Sequence, residues 1–175
     1  MAKLRKMLGR ADDPQIVTLM HLIETQSKPT LAAWAAACVQ ERYLPVYERA
    51  HPDDRRLREL IGAVGDHLHG ALKLLQLRIL LRQARAVPQE AEGDPAAQAA
   101  ARAVVTACGV IQTPTNALGF VFYGAAAVAY DTLGLSAAAA EYDAFAAAEF
   151  EVLAASLRAA SVPYEASPVK INWNC

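Results

Sequence analysis

Cysteine is scarce in this 175-residue chain: Cys38, Cys108 and Cys175 are an odd number and form no C-x-x-C pair. That excludes a disulfide framework and a zinc site of the usual spacing, and a cytoplasmic location is expected. Glycine and proline are also sparse, at nine each beside 38 alanines. This balance favours helix over sheet, because alanine loses no side-chain entropy in a helix and fits poorly on a pleated surface. No segment alternates with period two, so no strand is expected. No excess of one charge exists: the net charge of −1 excludes a strongly basic nucleic-acid binder, and 54% hydrophobic residues exclude a disordered chain. The basic residues between Met1 and Arg10 are followed by no apolar run, so they are no secretory signal. The uncharged stretch from Ala103 to Tyr130 is broken by Gln112-Thr113-Pro114-Thr115-Asn116. It reads as two core helices meeting at a polar turn, and no membrane partner is expected.

What is present is a succession of helix signals. Asp12-Asp13-Pro14 opens a first helix with Ile16, Leu19, Met20 and Ile23 on one face. Ser27 and Pro29 open a second, with Leu31, Trp34, Ala35 and Cys38 inward, and Pro45 must kink or end it. Asp53 or Asp54 caps a third, whose stripe is Leu57, Leu60, Ile61, Val64 and Leu68; Gly62 and Gly65 read as a packing pair and Gly70 as the stop. Leu72–Leu81 is apolar almost all round, which predicts either enclosure or contact with another chain, including a homodimer. Residues 88–94 form a polar linker, the one place where the domain could be divided. Asp94-Pro95 then opens a helix through Ile111, and Thr113-Pro114 opens another that Gly134 ends. Ser136 caps a last one, with Tyr142, Ala146, Phe150, Leu153 and Leu157 inward. Ile171 and Trp173 dock the tail on the body. The expected architecture is all-α, a single domain of about seven helices spanning residues 1–175, with an extended C-terminal tail.

Residues 1–86 carry a net +5 and residues 87–175 a net −6. Either the helix surfaces simply differ in composition, or the second half presents an acidic face to a basic partner. Catalytic signatures are few. His67 and His69 diverge by about 200° on a helix and cannot share an ion. Cys38 and Cys108 fall on apolar stripes, Ser156 and Ser161 lie in no nucleophile turn, and no phosphate-binding loop appears. The acidic group Glu141, Asp143, Glu149 and Glu151 is either a solvated face or a cation site. Gln112 and Asn116 flank the polar turn, which is either a satisfied helix junction or a small polar pocket with Tyr123 and Tyr130 nearby. That pocket would suit a ligand-binding protein or small enzyme; the apolar helix would suit an oligomeric scaffold.

Five runs, in order, carry a resemblance. They are Trp34-Ala-Ala-Ala-Cys-Val-Gln-Glu-Arg-Tyr-Leu-Pro-Val-Tyr47; His51-Pro-Asp-Asp-Arg55 with Arg58; Ala96-Ala-Gln-Ala-Ala-Ala-Arg102; Ala117-Leu-Gly-Phe-Val-Phe-Tyr-Gly-Ala-Ala-Ala-Val-Ala-Tyr-Asp131; and Lys170-Ile-Asn-Trp-Asn-Cys175. Together they resemble the helical immunity proteins assigned to bacterial polymorphic toxin systems, the immunity-5-like domain. The resemblance implies a cytoplasmic all-α protein that neutralises a cognate toxin by binding it, with no catalysis and no cofactor. Relatives tend to carry histidines in the turn where this chain has Gln112 and Asn116, which puts in doubt for this chain any metal or proton-linked role those histidines serve. The resemblance assigns no residue as a toxin contact.

Overall fold

Three helices begin where a short polar side chain closes the first turn. Asp13 accepts from the Gln15 N–H, Ser27 from that of Thr30 and Asp94 from that of Ala97, each with proline at the start of the helix that follows. The computed structural model describes residues 3–174; Met1, Ala2 and Cys175 lie outside the described residues, and with Cys175 the last residue of the closing run. The order is α1 Pro14–Ile23, α2 Lys28–Arg42, α3 Leu44–Ala50, α4 Arg56–Leu68, α5 Leu74–Ala84, the single turn α6 Val87–Glu90, α7 Pro95–Cys108, α8 Asn116–Leu133 and α9 Ala139–Ala160. Among the described residues there is no strand.

Among the described residues the expected seven helices become eight and one turn, for local reasons. Pro45 ends α2 but also sits in the first turn of α3, where its missing N–H is harmless. The 88–94 segment is not uniformly polar in the fold: Pro88 and Ala91 are buried, as is Val87 just before it, and α6 packs on α7. Helix α7 stops at Cys108 and not at Ile111, with Gly109 as its C-cap. Helix α9 starts at Ala139 without help from Ser136; Glu141 instead reaches back to the Ala138 N–H at 2.7 Å. The Gly62 and Gly65 pair packs nothing, since a Cβ at either would meet no atom within 4 Å. Gly134 does end α8, in the left-handed region at φ 74°.

Helices α7 and α8 form the most extensive contact and the centre of the core. Both helices are alanine-rich on their buried sides: Ala97, Ala100, Ala101, Ala103 and Ala107 of α7 and Ala117, Ala125, Ala126 and Ala129 of α8 are all buried. Small side chains let such helices approach closely. Every helix adds side chains to one hydrophobic cluster. The first described residues join it: Leu8 is buried, its N–H donates to Phe122 O, and the Tyr130 hydroxyl donates to Arg5 O at 2.6 Å.

The C-terminal tail docks as its apolar spacing predicts. Val169 is buried and donates its N–H to Gln26 O at 2.9 Å, while the Trp173 indole donates to Glu24 at 3.1 Å. Gln26, only 2% exposed, has its side chain satisfied by both backbone groups of Val162. Glu165 accepts from the Ser27 N–H at 2.7 Å and from the Ser27 and Thr30 hydroxyls, tying the tail to the start of α2.

Asp54 makes the corner before α4. It accepts from the Arg56 N–H at 3.0 Å, from the Arg56 guanidinium at 2.7 Å and from the Tyr47 hydroxyl at 2.6 Å. The Arg56 guanidinium holds its carboxyl well below the usual range, against the opposing effect of burial. A carboxyl lowered by folding stabilises the native state above its unfolded pKa of about 4, and that stabilisation fades as pH falls. Asp54→Asn should therefore be less stable than wild type at pH 7, and the difference in urea midpoint should shrink steadily below about pH 4.

Candidate interaction surface

Part of the opposite charge of the two halves is paired within the fold. Arg5 pairs with Asp143 at 2.6 Å, Arg42 with Glu149 at 2.6 Å, Arg49 with Asp131 at 2.5 Å and Arg56 with Glu90 at 2.5 Å. Each pair joins a first-half arginine to a second-half carboxylate. Asp94, Glu141 and Glu165 serve as helix caps or ties. Of the nine second-half acids only Glu92 and Glu151 have neither an ion pair nor a capping or tying role among the described residues.

The residues singled out in the sequence do not converge. Glu141 caps α9 and Asp143 holds Arg5. Glu149, expected on a solvated face, is 5% exposed and sits between the Arg42 guanidinium and the Tyr43 hydroxyl, which donates to it at 2.7 Å. Burial, and then the Glu149 carboxylate, push the Tyr43 phenol well up, so it stays a donor. Tyr123 is half-buried at the edge of the core. Gln112 and Asn116 do share a site: they line a 250 Å³ cleft with Arg85, Leu81 and Thr106. Gln112 accepts from the Arg78 guanidinium at 2.8 Å, and the Asn116 amide lies in the notch at Gly109, 2.8 Å from where a Cβ would be.

That bond joins the polar turn to α5, the apolar helix of the sequence. Leu77, Leu81 and Ala84 face the core against α4 and α7, as one enclosed face. The other face is open: Leu75 is 68% and Ile79 47% exposed, with Leu80 beside them. Arg78, Arg82 and Arg85, also exposed, follow one another at the four- and three-residue spacing of a single helix stripe. Sequence reasoning found the leucines and missed these arginines. The signal was available, because no Asp or Glu occurs between Asp66 and Glu90.

Reactive groups elsewhere are quiet. Burial pushes the Cys38 thiol up to about 11 and raises that of Cys108 further. Ser156 Oγ, 3.7 Å from Cys38 Sγ, accepts from the Trp34 indole and donates to Leu153 O. His67 and His69 each donate Nδ1–H to a backbone carbonyl, of Leu72 and Gly65 respectively. Among the described residues no three or more His, Cys, Asp or Glu side chains could together hold a metal ion, and no helix is long and apolar enough to cross a membrane.

The family model described as Imm-5 like putative immunity protein matches residues 21–156. The chain belongs to that family. The match begins inside α1 and ends inside α9, so it covers α2 to α8 entire, including the α5 face and the 112–116 turn. No curated protein and no solved structure matches the chain. In this immunity family member, exposed apolar side chains and guanidiniums without a carboxylate partner among the described residues coincide on α5 and the adjoining turn.

Proposed function

We propose that this protein acts in the cytoplasm as an immunity protein that neutralises a cognate bacterial toxin by binding it directly, without catalysis. The observation that supports this best is how its ionisable groups are used. Six arginines of the first half hold carboxylates, Glu149 is locked between Arg42 and Tyr43, and both described thiols are buried. Such groups maintain a rigid block whose outer surface does the work. A stoichiometric inhibitor needs that preorganised surface, because ordering it on binding would subtract from affinity.

Co-expression with the product of an adjacent toxin-like gene provides the test. Growth should be restored, and the two chains should leave a sizing column together. Failure of both would remove the reading. A homodimer through Leu72–Leu81 is less favoured than a different partner, since a two-fold contact there would gather the arginine stripes of both copies in one interface.

A further inference from the structure

We infer that the open face of α5 is where the toxin docks, and that it meets a protein surface on which carboxylates flank a small apolar patch. The inference rests on the proposed toxin binding and adds the place and the chemistry of the contact. Arg5, Arg10, Arg42, Arg49, Arg56 and Arg58 are each paired with a carboxylate of the fold. Arg78 and Arg82 of α5 and Arg85 at its C-cap hold none among the described residues, where the only side-chain bond they make is from Arg78 to the neutral amide of Gln112. Three guanidiniums therefore stand in line, with forked donors suited to carboxylates. Leu75 and Ile79 lie directly beside this stripe, one turn apart, and are too exposed to add much to the core.

The pattern selects the partner. Apolar side chains at the centre with cations along one edge match the centre-and-rim organisation of a protein interface. The cleft at the edge, where Arg85, Gln112 and Asn116 gather, gives a partner's acidic side chain several donors. An anionic membrane is a poorer match, because α5 turns Leu77 and Leu81 into the core and exposes no aromatic residue for the headgroup layer. Nucleic acid is a poorer match as well, since leucines rather than aromatic rings stand between the cations.

The test compares full-length variants for affinity to the toxin-like product of an adjacent gene, at low and moderate salt. Arg78→Glu/Arg82→Glu/Arg85→Glu should weaken binding by about 100-fold or more and remove most of its salt dependence. Leu75→Ser/Ile79→Ser should weaken it about tenfold or more while leaving the salt dependence in place. A control with equal charge change elsewhere, Lys6→Glu/Arg158→Glu/Lys170→Glu, should stay within about threefold of wild type. Should charge reversal unfold the helix, as circular dichroism would report, the glutamine versions of the same three arginines keep the charge question open to measurement. Wild-type affinity in the α5 variants would overturn the docking site while leaving toxin neutralisation intact. A wild-type chain that neither binds nor rescues would overturn both. Binding of the wild type, but not the arginine variant, to vesicles containing phosphatidylserine would replace the protein partner by a membrane.

Discussion

Gly124→Ala is expected to destabilise the protein by about 3 kcal/mol, lowering the melting temperature by roughly 6–12 °C. Alanine is normally the better residue inside a helix, by about 1 kcal/mol, so the sign must come from packing. A Cβ at position 124 would lie 2.2 Å from both Cε2 and Cζ of Tyr43 and 2.7 Å from its hydroxyl oxygen. The ring has no free direction. It is fully buried, and its hydroxyl is fixed by Glu149, which Arg42 holds in turn. To admit the methyl group, α2 and α8 must separate, or the ring must leave the carboxylate and strand its buried hydroxyl. Gly62→Ala is the matching control, because nothing lies within 4 Å of its Cβ position on exposed α4 surface. It should gain about 0.5–1 kcal/mol from helix propensity. Urea denaturation of the two variants therefore gives opposite signs for the same chemical change, and a Gly124→Ala protein as stable as wild type would contradict the packing of Tyr43.

Where a helix begins with a side-chain cap, the sequence shows it, and the starts at Asp13, Ser27 and Asp94 are legible. Boundaries set by backbone geometry or distant packing are less so. Pro45 reads equally as the end of one helix and the first turn of the next, and α3 is lost between those readings. The acidic group on α9 shows the same difficulty with function. Tyr142, Ala146, Glu149 and Leu153 follow one another at four, three and four residues, so Glu149 lies on the inward stripe. Periodicity alone could have placed it there, but its partner Arg42 is 107 residues away and leaves no local trace. The charge asymmetry of the halves is equally visible and equally ambiguous, because the four pairs that offset part of it span long stretches of chain. The arginine stripe is local, and the lack of acids between Asp66 and Glu90 marks it in the sequence itself.

Arg42→Ala is the second large effect, at about 3 kcal/mol, near the low end for breaking a buried pair because the Arg42 side chain keeps 30% of its exposure. It leaves the Glu149 carboxylate buried, with the Tyr43 hydroxyl as the sole donor among its described hydrogen bonds. The pair itself contributes much less than this loss suggests, since both groups surrender hydration to form it. Arg42→Met/Glu149→Leu should recover part of the loss but still orphan the Tyr43 hydroxyl, a penalty of about 1–3 kcal/mol. Adding Tyr43→Phe removes that last unpaired group, and the triple variant should lie within about 1 kcal/mol of wild type. Single losses far larger than the triple loss are the signature of one coupled network rather than three independent contributions. Additive losses in urea denaturation would mean that the three side chains act separately, and the account of α9 anchored to α2 through Glu149 would fail.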